Sequence, residues 1–361
     1  MKKVFVIILN WNGWKDTIEC LKTVKQLSVV SYQLSVVVVD NGSTDGSAEE
    51  IKSFALLGKD HLRGVRHSQT WLGRLTSRST PRTVEELPLT SPWRSPFRHL
   101  RGGFQGKVQN FNLRLLENRS NLGFAEGNNV GIRYALEKDA DYIMLLNNDT
   151  LVEKNLLNEL IKVMERDKKI GVVGPKIYFA PGFEFHKEKY KSQERGRVIW
   201  YAGGIIDWQN ILASHWGVDE VDKGQHDAMK ETDYVSGCAM MVKKEVFKKI
   251  GLFNPIYFLY WEDLDFCVRA KREGFKLLFV PKAVLWHKNA QLAGGAGSSL
   301  QGYYITRNRL LFTQKYASLR AKLALFKESL KLLMTGHPCE RRGVLNFYLG
   351  RFGMGSFLDE K

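Results

Sequence analysis

The chain has 361 residues, enough for one large domain with additions or two smaller ones, and 44% of them are apolar, so a packed core can form. Lysine and arginine number 54 against 38 acids, a formal charge of +16 that points to a phosphate-bearing ligand, an anionic membrane surface or nucleic acid. No RNA- or DNA-binding module pattern accompanies that charge, so nucleic acid ranks last, and no apolar run approaches the roughly 20 residues of a membrane-spanning helix.

Four widely spaced cysteines without a CxxC pair indicate neither a zinc site nor a disulfide framework, and they fit a reducing, cytoplasmic compartment. The apolar run at residues 4–9 is too short for a signal-peptide core and reads as a strand buried on both faces. Trp14, Ile18, Leu21, Val24 and Leu27 then recur at helical spacing. Residues 34–39 predict a second buried strand, ending in the turn cluster Asp40-Asn41-Gly42-Ser43. Ser47 and Glu50 form a capping box for the next helix. Further on, 113–116 predicts a third strand, 124–136 a helix, 142–146 a fourth strand, 155–165 a helix and 171–179 another strand. Such alternation predicts a mostly parallel central sheet flanked by helices, with ligands bound at the carboxyl ends of the strands. Residues 10–13, 40–43 and 147–149 are the polar clusters at those ends.

After residue 180 the pattern changes. Residues 198–206, 214–218 and 234–242 predict strands of a mixed sheet. Residues 246–250 and 262–273 predict helices closed by Gly251 and Gly274. Residues 276–280 and 284–286 read as strands, and 303–333 as helical and basic. Residues 57–107 stand outside this scheme, with ten Lys or Arg against three acids and four of the nine prolines. They read as a flexible insertion or as a basic arm for a membrane or polyanion.

Three clusters can carry chemistry. A carboxylate at Asp40 can accept hydrogen bonds from a base or ribose, although Asp-Asn-Gly also makes an ordinary turn. Asn147, Asn148 and Asp149 close a buried strand with oxygen donors. Mg2+ or Mn2+ takes such ligands together with substrate phosphate, and helix capping is the competing reading of Asp149. Glu262, Asp263 and Asp265 crowd a helix start beside Tyr257, Phe258, Tyr260 and Trp261. A helix dipole favours acids there, and acids against aromatic walls also suit a sugar pocket with a tuned base. His287 gains interest from its company with Asp149. Arg307, Asn308 and Arg309 suit either a diphosphate or a solvated helix face. Leu319, Leu323, Phe326, Leu330 and Leu333 fall near one helical face with Arg320, Lys322, Lys327 and Lys331 alongside. That face either packs on the rest of the chain or docks on an anionic membrane.

Taken in order, these residues resemble glycosyltransferase family 2, the inverting GT-A enzymes, and within it the rhamnosyltransferase-like branch. The matching pieces are VIILNWN at 6–12, VVDNGSTD at 38–45, NLGFAEGNN at 121–129, LNND at 146–149, SGCAM at 236–240 and EDLDFCVR at 262–269. The resemblance covers about residues 3–56 and 110–310. It implies an α/β, Rossmann-like GT-A fold with a mixed acceptor-side region and C-terminal helices. It also implies a catalytic domain of residues 1–56 and 108–298, with a nucleotide-binding half to about 179 and an acceptor half after it. Residues 299–361 would form a C-terminal helical region.

The implied activity is metal-dependent, inverting transfer of a sugar from a nucleoside diphosphate sugar, with dTDP-rhamnose favoured, to a glycan or lipid-linked acceptor. Asp40 would hold the base or ribose, with Asn10 and Asn12 lining the site. Asn41, Asn121, Gly123, Asn128, Asn147, Asn148, Trp261, Glu262 and Arg307 would shape the nucleotide and sugar pocket. Asp149 matches the last residue of the family's DxD motif, whose first position is Asn147 here, and His287 stands where some members place a further ligand to Mg2+ or Mn2+. Asp263 matches the catalytic base. The expected location is cytoplasmic, peripheral to the inner face of the cell membrane. A transferase-fold binding protein and a nucleotidyltransferase are the alternatives, although residues 10–14 lack the basic residue of a nucleotidyltransferase loop. No GxGxxG follows the first strand, which argues against a dehydrogenase.

Overall fold

The computed structural model describes residues 1–57, 99–108, 111–289 and 297–357. In chain order come β1 (Lys2–Asn10), α1 (Trp14–Val24), β2 (Tyr32–Asp40), α2 (Ser47–Leu57), β3 (Leu100–Val108), β4 (Phe111–Asn118), α3 (Gly123–Glu137), β5 (Tyr142–Asn147), β6 (Thr150–Val152), α4 (Leu156–Met164) and β7 (Ile170–Phe179). The second half adds β8 (Ile199–Tyr201), β9 (Gly204–Asp207), β10 (Leu212–His215), β11 (Lys230–Glu231), β12 (Ala239–Lys243), α5 (Lys244–Ile250), α6 (Glu262–Arg272) and β13 (Lys276–His287). Helices α7 (Ser299–Tyr316), α8 (Leu319–Thr335) and α9 (Pro338–Tyr348) follow.

The long apolar runs of β1 and β2 have a direct cause: both faces of the sheet are covered. Val4, Val6, Ile8, Val36 and Val38 pack into one core with Leu21 and Val24 of α1, while Phe5, Ile7, Val37 and Val39 pack into the other with Val130 and Ile132 of α3. Nine strands follow the order β11-β13-β7-β12-β5-β1-β2-β4-β3, with β6 and β8 attached to β13 and β7. The block β5-β1-β2-β4 is parallel, and β12 enters antiparallel between β5 and β7. Register brings the carboxyl ends level: Asn10 faces Asp40, Asp40 faces Glu117, and Leu9 faces Asn147. Strand order reverses at β1, the place where an open α/β sheet leaves a crevice for a ligand.

The basic segment differs in part from its expectation. Residues 58–98 lie outside the described residues. Residues 100–108, read from sequence as part of a flexible insertion, instead form β3, antiparallel to β4. This strand supplies partners to the edge of β4, whose N–H and C=O groups need them. Residues 276–287 are one strand rather than two, bent between Val280 and Val284, where Pro281 cannot donate to the ladder. Of the strand expected at 234–242 only β12 forms. The helical stretch from 303 is also two helices, α7 and α8, parted at Ala317-Ser318, where the Ser318 hydroxyl accepts from Ala321 N–H to cap α8.

Candidate functional site

The carboxyl ends of β1 and β2 build a polar shelf. Asp40 is fully buried, and its carboxylate accepts from the Asn10 amide (2.9 Å), from Ser43 N–H (3.2 Å) and from Arg101 (3.3 Å). Asn10 is itself oriented by Thr17, whose hydroxyl donates to its carbonyl at 2.7 Å. Asn12, at φ +51, receives Thr44 N–H on its side-chain oxygen. Asn41 joins this shelf to the start of α3, donating to Asn121 Oδ1 (2.9 Å) and to the Gly123 carbonyl (3.1 Å) while accepting from Asn118 and Leu122 N–H.

Gly123 has φ +78, and a Cβ there would lie 2.5 Å from the Phe258 carbonyl oxygen. That carbonyl accepts the first free N–H groups of α3, from Phe124 at 2.6 Å and Ala125 at 3.2 Å. G123A is therefore expected to cost about 2 kcal/mol or more through backbone strain and contact. A thermal melt equal to wild type would contradict this account of Gly123.

The second cluster forms where β6 meets the end of β13. Thr150 pairs with His287 across the two strands, so His287 stands beside Asp149. Both side chains are buried, with Nε2 of His287 3.2 Å from Oδ1 of Asp149. Burial alone would push the imidazole pKa down; the Asp149 charge and the Cys238 thiol hold it well above the ordinary histidine range. Among the described residues neither ring nitrogen makes a well-aligned hydrogen bond. Lys288 anchors the strand end, donating to Asp16 (2.7 Å) and Glu19 (2.6 Å) of α1. A carboxylate oxygen and an imidazole converging in a buried place fit a divalent cation. Among the described residues no cluster of three His, Cys, Asp or Glu surrounds it, so the rest of any coordination shell would have to come from ligand phosphate and water. Asn148 sits alongside but is turned to α1, donating to Thr17 Oγ1 at 3.0 Å.

Asp263, in the first turn of α6, is half-buried. Its carboxylate accepts from Gly237 N–H and from Leu264 N–H, each at 2.9 Å. Burial raises its pKa, and those two backbone donors hold the rise back. Neighbouring Glu262 is buried and its Oε2 has no hydrogen-bond partner among the described residues. Burial, and after it the charge of Asp263, pushes Glu262 well above the carboxylate range. The two acids differ in their support: Asp263 accepts from two backbone N–H groups, whereas Glu262 leaves one oxygen without a partner among the described residues.

Asp149 and Asp263, 114 positions apart in the sequence, are linked through one dipeptide. Gly237 N–H holds Asp263, and the next residue, Cys238, receives Asn147 N–H on its carbonyl (2.8 Å) and sets its thiol against His287. Tyr260 spans the same gap: its hydroxyl is pushed up to about 12 by burial, then by the charges of Glu262 and Asp149.

Some candidates lie elsewhere. Arg307, expected as a pocket and diphosphate contact, is fully buried and donates to the carbonyls of Tyr257 (2.9 Å) and Gly353 (2.8 Å), so its charge is spent inside the fold. Trp261, expected in the sugar pocket, is buried with its ring 5.0 Å from that of Phe312. Asn128 is buried within α3 and donates to Phe124 O, one turn back. Asp265, in the acid cluster, is a structural hub bound by Arg269, Lys315 and Tyr316, each at 2.7 Å. The sequence reading missed Arg101, which came from the segment set aside as an insertion. It also gave no structural role to Asn308, whose amide donates at 2.8 Å to the carbonyls of Tyr257, Leu259 and Tyr260.

Comparison with known proteins agrees with this architecture. The chain is 26% identical over 200 residues to the low-salt glycan biosynthesis hexosyltransferase Agl10 of Haloferax volcanii, covering 55% of this chain and 59% of that one. It is also 26% identical over 200 residues to the N-acetylglucosaminyl-diphospho-decaprenol L-rhamnosyltransferase of Mycobacterium tuberculosis, covering 53% and 64%. The chain thus spans about three fifths of the length of these curated relatives. A crystal structure of GalNAc-T7 with UDP, GalNAc and Mn2+ superposes with a TM-score of 0.51 at 14% identity, covering 92% of this chain and 55% of that one, a likeness of fold alone. The fold is the GT-A fold. One family model, described as glycosyl transferase family 2, matches residues 5–80, and a second, glycosyltransferase like family 2, matches residues 99–313. With more than half of its length matched by the second of these, the chain belongs to glycosyltransferase-like family 2.

Proposed function

We propose that this protein transfers a sugar, with inversion, from a nucleoside diphosphate donor to a hydroxyl of a glycan or lipid-linked acceptor, with the help of Mg2+ or Mn2+. The observation that carries this reading is the Gly237-Cys238 dipeptide, which touches both Asp263 and His287, the partner of Asp149. The names of the two relatives, a hexosyltransferase and an L-rhamnosyltransferase acting on a diphospho-decaprenol sugar, favour rhamnose as the sugar and a lipid-linked acceptor. The motif resemblance favours dTDP as the nucleotide. We assign the transfer unit to residues 1–57 and 99–289, and the helices from 297 onward to a supporting region.

In this reading Asp40, set by Asn10 and Ser43, receives the nucleoside, and the Asn41–Asn121 contact fixes the wall beside it. Asp149 and His287 would hold the cation, which supplies neutralisation of charge on the departing diphosphate. Asp263 takes the proton of the acceptor hydroxyl as that oxygen attacks the anomeric carbon from the face opposite the leaving group. Thermal shift with nucleotide sugars and Mn2+ tests the reading. A donor should raise the melting temperature in wild type, and the metal-dependent part of that rise should vanish in D149A. An unchanged metal-dependent rise in D149A would remove Asp149 from the cation site.

Arg101 favours a second reading. Its guanidinium sits on the Asp40 carboxylate that the donor base or ribose would use. Were it fixed there, the chain would be a transferase-fold binding protein without donor turnover. Donor hydrolysis or transfer by the wild-type chain in Mn2+ excludes that reading, and turnover seen only in R101A supports it.

A further inference from the structure

Helix α8 carries its apolar stripe on the outside. Leu319, Leu323, Phe326, Leu330 and Met334 are 43–74% exposed, while the inward face uses the small Ala321 and Ser329 with Leu325. Of the two expectations for this helix, packing and membrane docking, packing thus accounts for the opposite face. Leu345 of α9 (50%) and Leu349 just past its end (62%) are exposed as well. Side chains this apolar, left contiguous in water, mark an interaction surface.

The charges around the stripe identify the partner. Arg320, Lys327 and Lys331 recur at spacings of seven and four, one flank of the helix, and Lys322 lies on the other; all four are exposed. Arg341 and Arg351 are exposed nearby. The two acids between residues 319 and 357 are both engaged: Glu328 binds Arg309 at 2.7 Å, and Glu340 accepts His337 N–H at 2.7 Å to cap α9. A second copy of the chain would set these cations against their own kind. An anionic bilayer meets them with opposite charge, and long lysine stems can lie along the apolar surface while the ammonium reaches the headgroups. Among the described residues no helix is long and apolar enough to cross a membrane, so contact through this face would be interfacial.

We propose that the outer face of α8 and α9 docks the protein on an anionic lipid surface. The face is tied to the loop before Glu262 through short links. Gly353 N–H donates to Ile256 O at 2.9 Å, and Arg307 of α7 bonds the carbonyls of both Gly353 and Tyr257. The loop before Glu262 and Asp263 is thereby held at a set distance from the bilayer. Docking stands apart from sugar transfer, since it needs neither donor nor acceptor.

Flotation of the full chain with vesicles tests this. Vesicles of phosphatidylcholine containing about one-third phosphatidylglycerol should carry the protein, pure phosphatidylcholine should not, and raised salt should weaken the binding. L323E/F326E and, separately, K327Q/K331Q should each lower partitioning by about tenfold or more. Both pairs are exposed, so melting temperature and donor-induced thermal shift should stay at wild-type values. Equal binding to neutral vesicles, no binding to either kind, or variants that float like wild type would overturn the proposal. So would a concentration-dependent dimer that L323E/F326E abolishes in a chain that binds no vesicles.

Discussion

D263N is expected to lower turnover by about 10²–10⁴-fold, the range a well-placed general base supplies, with donor affinity close to wild type. The geometry allows so clean a result. An asparagine oxygen can still accept from Gly237 N–H, so the start of α6 keeps its tie to the 236–238 turn. What is lost is the capacity to take a proton, together with the oxygen that accepts Leu264 N–H. The variant should also lose the acidic limb of the pH–rate profile. Because burial raises the Asp263 pKa, wild-type turnover should fall as pH drops through a value above that of an ordinary aspartate.

The stability effect has the opposite sign. A carboxyl whose folded pKa is raised contributes its stabilisation below the unfolded pKa and loses it as pH rises through the folded one. At neutral pH the ionised group is therefore a burden on the fold, and D263N should melt at or above the wild-type temperature. Near-normal turnover in D263N would end the assignment of the base. A lowered melting temperature would mean that the carboxylate is chiefly a structural cap.

Why some of this could be read in advance, and some could not, follows from how local each cause is. The two-sided burial of β1, β2 and β5 is written into unbroken apolar runs, and the turns that follow them announce the strand ends in Asn10, Asp40 and Asn147. Asp149 and His287 are far apart in sequence, and periodicity says nothing of the β6–β13 pairing that joins them. Only the order of the motifs pointed there. Arg101 was illegible because a glycine-rich edge strand such as 100–108 has no alternation to read, its pairing being set by the exposed edge of β4. Arg307 and Trp261 misled for a shared reason. Residue type near a chemical motif suggests a ligand, whereas the direction of the side chain is decided by α7 crossing behind the 257–261 loop. There Tyr257 offers a carbonyl to Arg307, and Phe312 offers a ring to Trp261.

That loop supplies the second large effect. N308A is expected to destabilise the fold by about 3 kcal/mol, since each buried acceptor left unpaired costs about 1–3 kcal/mol, and to lower turnover more than it weakens donor binding. The loop has a backbone that ordinary residues avoid. Phe258 lies at φ +65, ψ −57, and Leu259 N–H closes back on the Tyr257 carbonyl at 2.8 Å, a tight three-residue turn of the strained hand. Tyr260 and Trp261 follow at φ +64 and +75. Three such residues store on the order of 1–3 kcal/mol each, and they persist only where the surroundings over-determine them. Here those surroundings are the N–H groups of Phe124 and Ala125 on one side and the Arg307 and Asn308 side chains on the other. Without the Asn308 amide the turn is free to relax, and Glu262 and Asp263, which begin the next helix, move with it. The isosteric N308D separates this account from simple loss of volume, because it sets carboxylate oxygens against three carbonyl oxygens and should be at least as damaging as N308A. If N308D melts and turns over like wild type, the loop does not depend on that donor.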